Sequence, residues 1–209
     1  MNKKLVSNSN FVLRKVLNNG DCLGVLKDFI ESILEIKIDE IELNPYLTQR
    51  EKYLPREENF GIADVRVKTE DNQEINVGIQ FIDGIYVETK MLLYYAQIHL
   101  NQDEYDEKRE LCKTVTINIL DFKHLNMNKY DNVIRIQSNE QEITLDELEM
   151  HLIELPKIRV EDMNDLSAKE EWLLYLKEDN KKVLSRIKNE NIHYLDSLLN
   201  KYWLEEKME

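Results

Sequence analysis

The feature that most constrains this chain is a pair of alternating segments joined by a short polar turn, within residues 62–82. Ile62-Ala63-Asp64-Val65-Arg66-Val67 alternates apolar and polar residues, and so does Glu74-Ile75-Asn76-Val77-Gly78-Ile79-Gln80-Phe81-Ile82. Side chains point to opposite faces of a strand in turn, so this period of two predicts two strands packed on a core. Asp71-Asn72 between them is turn chemistry, since both side chains tolerate the backbone of a tight turn. Strands linked this closely form an antiparallel hairpin. About a turn centred there, Asp64 is expected nearly opposite Gln80. Gly78 and Gln80, two residues apart, share a face.

The rest of the chain alternates helical and extended patterns. Residues 10–17 carry Phe11, Val12, Val16 and Leu17 at helical spacing, and Asn19-Gly20 ends that run. Asp21 is placed to cap a helix through Leu34 whose apolar side holds Leu23, Leu26, Phe29, Ile30, Ile33 and Leu34. Residues 36–43 alternate weakly and read as a strand or extended connector, followed by a charged loop over 48–59. After the hairpin, residues 88–100 form a helix with Leu92, Leu93, Tyr95, Ala96, Ile98 and Leu100 as its apolar pattern. Residues 113–122 are a strong strand, and 132–137 and 149–155 are two more. Thr144-Leu145-Asp146-Glu147 and Ser167-Ala168-Lys169-Glu170 both fit a capping box, the second opening a helix to about residue 177. The tail to Glu209 is helical and highly charged: a solvated packing helix, or an arm joining copies into a homo-oligomer.

Strands interleaved with helices predict an α/β mixed sheet flanked by helices. A chain of 209 residues makes one ordinary domain, or one domain plus a small appendage, and three prolines with five glycines leave little material for linkers. No apolar run approaches the roughly 20 residues of a membrane-spanning helix. The basic start, Met1-Asn2-Lys3-Lys4-Leu5, meets Ser7-Asn8-Ser9-Asn10 where a secretory signal would be apolar, so a cytoplasmic protein is expected. Cys22 and Cys112 lack metal-ligand spacing and read as structural thiols. His99, His124, His151 and His193 are scattered and suggest neither a metal cluster nor a triad, and no glycine-rich phosphate loop is present. The net charge of −13 weighs against a protein that coats nucleic acid, though a local basic patch can still bind it.

Several segments in order resemble one family. Ile62-Ala63-Asp64-Val65-Arg66-Val67 resembles a strand bearing a metal-binding aspartate. Ile75-Asn76-Val77-Gly78-Ile79-Gln80 resembles a strand whose pattern has glutamate fourth and glutamine sixth. Lys90 to Tyr94 resembles a helical segment that normally begins with arginine and ends with tyrosine. Thr116-Ile117-Asn118-Ile119-Leu120-Asp121-Phe122 and Ile153-Glu154-Leu155-Pro156-Lys157 resemble two later strings. Together they are similar to the recombination-promoting nuclease and putative transposase family of the PD-(D/E)XK phosphodiesterases. The likeness implies the restriction-endonuclease-like fold over residues 1–177, with 178–209 as a charged helical tail.

It also implies a metal-dependent DNA endonuclease acting in recombination. Such hydrolysis uses a metal to stabilise transition-state charge and to acidify the attacking water. A hard cation such as Mg²⁺ takes oxygen ligands. By resemblance Asp64 and the Ile79 carbonyl are the ligands, Gln80 orients water or a phosphate oxygen, and Lys90 contacts a phosphate. Two positions depart from the pattern: Gly78 stands for the glutamate and Asn10 for an aspartate. Asp83 and Glu88 are the neighbouring acids placed to compensate. With one anionic ligand left, cleavage is expected to be weak or lost; the alternative is a catalytically inactive binding or regulatory protein on the same fold. Taken singly, Asp64 and Gln80 would be ordinary hydrogen-bonded strand residues, and Gly78 a bulge or a close backbone approach.

Overall fold

A computed structural model describes residues 13, 16–17, 20–43, 63–82, 84–100, 112–139, 143–177 and 181–206. Among these, six strands form one mixed sheet: β1 (Ile38–Leu43), β2 (Ala63–Thr69), β3 (Glu74–Ile82), β4 (Lys113–Leu120), β5 (Asp131–Gln137) and β6 (Thr144–Glu154). Their order across the sheet is β1-β2-β3-β4-β6-β5. β1, β2 and β3 are antiparallel neighbours, β3, β4 and β6 run parallel, and β5 returns antiparallel along β6. The helices are α1 (Leu23–Leu34), α2 (Val87–Leu100), α3 (Ala168–Lys177), α4 (Lys181–Leu184) and α5 (Glu190–Glu206). The α/β sheet flanked by helices, with a helix at the C-terminus, is the architecture the sequence patterns predict.

Register sorts the strand residues onto two faces. Val65, Val77, Ile79, Val115, Ile117, Ile119 and Ile153 join α1, α3 and α5 in the larger core. Ile82, Leu120, Leu148, Met150 and Leu152 meet Val87, Met91 and Tyr95 of α2 in a smaller one. Parallel strands need a crossover, and α2 supplies it between β3 and β4. That connection lays one helix directly over the face that carries Asp64, Gly78 and Gln80.

Asp28 ties the larger core together. Its Oδ2 accepts from Trp172 Nε1 of α3 and from Asn189 Nδ2 just before α5, each at 2.7 Å. Trp172 also meets the edge of Phe29 at 5.2 Å between ring centroids. The final helix buries Ile192, Leu195 and Leu199 in this core, so one face of it packs.

Local patterns were followed in some places and overridden in others. The Ser167 capping box forms: Glu170 Oε2 accepts from the Ser167 amide at 2.9 Å, and Ser167 Oγ accepts from the Glu170 amide at 3.2 Å. The similar Thr144–Glu147 pattern does not open a helix. It lies in β6, where pairing with β5 outweighs the local preference. Asp21 does not cap α1 either: it sits in a 3₁₀ turn, Gly20–Cys22, and Cys22 holds the cap position without a side-chain bond. On α2 the inward residues are Val87, Met91, Tyr94, Tyr95 and Ile98, while Leu92, Leu93 and Leu100 are exposed. The loop expected over 48–59 lies outside the described residues.

Candidate functional site

The expectation set Asp64 nearly opposite Gln80, and the structure pairs it two residues away, with Gly78. The hairpin connection covers residues 70–73, with Asn72 at a left-handed φ of 66°. Asp64 therefore faces Gly78 directly, and Gln80 lies one pair further along. A turn centred between Asp71 and Asn72 would set Asp64 against Ile79 and turn it to the other face from Gln80. The observed register puts Asp64, Gly78 and Gln80 together beneath α2.

What α2 places there decides the chemistry. Tyr94 is buried, and its hydroxyl donates to Asp64 Oδ1 at 2.5 Å. The Ile79 carbonyl oxygen lies 3.1 Å from the same hydroxyl and the Ala63 carbonyl oxygen 3.3 Å. One turn on, Ile98 leans over Gly78. A Cβ added at Gly78 would sit 2.0 Å from Ile98 Cδ1 and 3.0 Å from both Cε1 and the hydroxyl oxygen of Tyr94. A side chain at Gly78 would have to swing the Ile98 Cδ1 methyl aside and move Tyr94 by a few tenths of an ångström, so glycine suits this close approach. The position where the family pattern has a carboxylate is filled from above.

Gln80 is engaged as well. It is buried, and its Nε2 donates to Asn118 Oδ1 of β4 at 2.5 Å. Asn118 Nδ2 in turn donates to the His151 carbonyl of β6 at 2.9 Å and to Thr116 Oγ1 at 3.1 Å. This is a buried polar ladder across three strands, satisfied side chain by side chain. The signal for Asn118 was in the sequence: Thr114, Thr116 and Asn118 alternate with Val115, Ile117 and Ile119. Both faces of β4 are buried, so its polar face is as informative as its apolar one.

The remaining predicted residues spread out. Lys90 is half-buried on the first turn of α2, one turn before Tyr94. Glu88 is exposed and its Oε1 meets His124 Nε2 at 2.7 Å, so it points along the α2 start and does not join Asp64. Its own backbone amide, and then His124, hold its carboxyl below the ordinary range. Asn10 and Asp83 lie outside the described residues.

Two further polar clusters were not legible as such. Glu154, fully buried at the end of β6, accepts from the backbone amides of His124 and Leu125 and from Lys157, whose Nζ also donates to the Leu125 carbonyl at 2.7 Å. The string Ile153-Glu154-Leu155-Pro156-Lys157 is thereby a clamp on the loop after β4. Near the sheet edge, His151 lies between two carboxylates: Nδ1 is 3.1 Å from Asp131 Oδ1 and Nε2 is 3.1 Å from Glu149 Oε1. Lys169 of α3 binds Asp131 Oδ2 at 2.7 Å, while Arg135 and Lys113 bind Glu149 Oε2 at 2.6 and 3.1 Å. Burial works against charge on His151, but its bonds to Asp131 and Glu149 outweigh that and raise its pKa. Glu149 is held far below the ordinary carboxylate range by His151 first and then by Arg135 and Lys113, against burial. For Asp131 burial opposes ionisation, and His151 and Lys169 prevail to lower it.

A sequence model of PD-(D/E)XK nuclease family transposases matches residues 8–207, nearly the whole chain. The chain belongs to this family. Searches of curated proteins and of solved structures returned no match. The mixed sheet flanked by helices agrees with the PD-(D/E)XK fold. No helix among the described residues is long and apolar enough to cross a membrane.

PD-(D/E)XK nucleases generally use divalent metals, so the donor set has to be tested against one. Hard divalent cations take oxygen ligands, and carboxylates usually supply much of the binding. Among the described residues Asp64 is the single carboxylate at the hairpin centre, and no group of three or more His, Cys, Asp or Glu side chains is placed to hold an ion. The opposing position is Gly78, which brings no ligand and is covered by Ile98 and Tyr94, and the Tyr94 hydroxyl is bonded to the Asp64 carboxylate. The described residues do not fit a divalent metal.

Proposed function

We propose that this PD-(D/E)XK family member binds DNA without cutting it, its hydrolytic centre being closed. The observation that carries this reading is the filling of the Gly78 side of the hairpin by Tyr94 and Ile98. Each group to which the family likeness gives a hydrolytic role is engaged elsewhere. Asp64 and the Ile79 carbonyl accept from one phenol, and the Gln80 amide is spent on Asn118. Mg²⁺ would be the cofactor of an open centre of this type, and the closed one does without it. The net charge of −13 requires that DNA meet a local basic surface, and makes the interaction weak and steeply salt-dependent.

A second reading, a regulatory protein acting through a protein partner, is favoured by one observation. Ile85, Tyr86, Leu92, Leu93 and Leu100, on and just before α2, are all exposed. Fluorescence anisotropy with labelled single- and double-stranded DNA separates the two. DNA binding at low salt should be the same in EDTA and in Mg²⁺. It should weaken about tenfold between 50 and 200 mM salt if two phosphates are neutralised, and more if there are more. Absence of binding at low salt in either buffer would move the assignment to the protein-partner reading.

A further inference from the structure

We infer that the outer face of α2 is a self-association surface, on which a second copy of this chain lays its own α2 antiparallel. The inference goes beyond the closed-centre reading and does not depend on it.

α2 is apolar on both sides. Val87, Met91, Tyr94, Tyr95 and Ile98 point inward. At about 100° per residue, the direction opposite to them falls on Thr89, Leu93, Ala96 and Leu100. Their spacing of four, three and four residues is that of a helix-pairing seam. Leu93 is 53% exposed and Leu100 66%, and Leu92 beside them is 53% exposed. Single exposed leucines are ordinary, but a contiguous row of them marks a contact surface. The layers of the fold point the same way. One sheet face is covered by α1, α3 and α5, whereas α2 is the one described helix on the other.

Charge and shape select a second copy as the occupant. The chain holds 41 acidic residues and a net charge of −13, yet residues 89–100 contain no acid. Two copies this acidic repel in most approaches and can close up where acids are absent. A twofold axis midway between Leu93 and Ala96 sets Leu93 against the second copy's Ala96, and Thr89 against its Leu100. Each large side chain then meets a smaller one, so the stripe is its own complement, and Ala96 lets the helix axes approach closely. Lys90, on the flank, comes opposite the second copy's Gln97, so that flank brings no like charges together.

α5, whose charge suggested an arm between copies, is less suited. Its Ile192, Leu195 and Leu199 are committed to the core, and its exposed positions are mostly polar: His193, Tyr194, Ser197, Asn200 and Lys201. The exposed leucines of α2, which otherwise speak for a foreign protein partner, are thereby assigned to the chain itself. The helix that covers Asp64 on one side is covered on the other.

The test is sedimentation velocity of the full chain over a concentration series, with far-ultraviolet circular dichroism to check folding. Wild type should sediment at micromolar concentration as a species of twice the 25.0 kDa chain mass. Leu93→Glu brings a carboxylate into the seam from each copy and should raise the dissociation constant about a hundredfold or more. Ala96→Lys should do the same. Mixing the two variants sets the new carboxylate against the new ammonium group and should restore the dimer. If either variant fails to fold, Leu100→Glu with Thr89→Lys repeats the test at the neighbouring pair. A wild type that is monomeric throughout the series overturns the inference. So does a dimer indifferent to Leu93→Glu, since its contact then lies elsewhere on the molecule. Variants that dissociate but do not recombine on mixing overturn it too, because the antiparallel pairing is then absent.

Discussion

At the scale of single residues, Gly78 and what lies over it carry the outcome. The sequence marks the position as a departure from a family pattern, but not whether a carboxylate could be put back. In the structure an added carbon would lie 2.0 Å from Ile98 Cδ1 and 3.0 Å from Tyr94, so the isoleucine must swing aside and the hydrogen-bonded tyrosine must give way. Gly78→Ala should therefore destabilise the protein by about 1–3 kcal/mol through overpacking, read as a lower urea midpoint. Ile98→Val deletes the clashing atom, so the double variant should be more stable than the sum of the two single losses predicts. A Gly78→Ala protein with an unchanged midpoint, or strictly additive losses, would mean that the approach of α2 to β3 is not tight. Asp64, Ile79 and Gln80 were nameable from strand alternation and family likeness. Tyr94 was nameable as the tyrosine that ends the family-like helical segment, but on a helix it reads as packing, and only its depth over the hairpin makes it a partner of Asp64.

At the scale of elements, the sheet edge holds a titratable joint between β5, β6 and α3. His151 has a raised pKa, so its share of stability is complete below the ordinary 6.5 and is lost as pH climbs through the higher folded value. Asp131 and Glu149 have lowered pKa values. Their share is complete above the ordinary 3.8 and 4.5 and is lost as pH falls through the depressed folded values. The urea midpoint should therefore be flat between about pH 4.5 and 6.5 from this cluster and decline on the alkaline side. His151→Gln should flatten the alkaline decline; a variant that keeps the same slope would place its origin elsewhere. The histidines look scattered along the chain because Asp131 and His151 come together only when β5 pairs with β6. Element types were mostly legible, whereas registers were not. The hairpin turn is longer than its Asp-Asn pair suggests, and one residue of shift decides which face Asp64 occupies. Thr144–Glu147 has helix-start chemistry but lies in a strand, since cross-strand partners are invisible to a local pattern.

At the scale of the molecule, the α/β class and the family were legible because period and order survive along the whole chain. Matching over residues 8–207 includes α5, whose Ile192, Leu195 and Leu199 share the core with α1 and α3. Charge alone separated this helix from the rest in the sequence, and a charged outer face does not reveal an apolar inner one. On the proposal made here, the molecule keeps the PD-(D/E)XK scaffold around a centre whose working space is filled by a phenol and an isoleucine. Cleavage of supercoiled and single-stranded DNA in Mg²⁺ or Mn²⁺ tests this most directly, with Asp64→Ala as the reference. Wild type and Asp64→Ala should both leave the DNA intact, or nick it at one shared background rate. Metal-dependent cleavage by wild type that Asp64→Ala abolishes would contradict a closed centre.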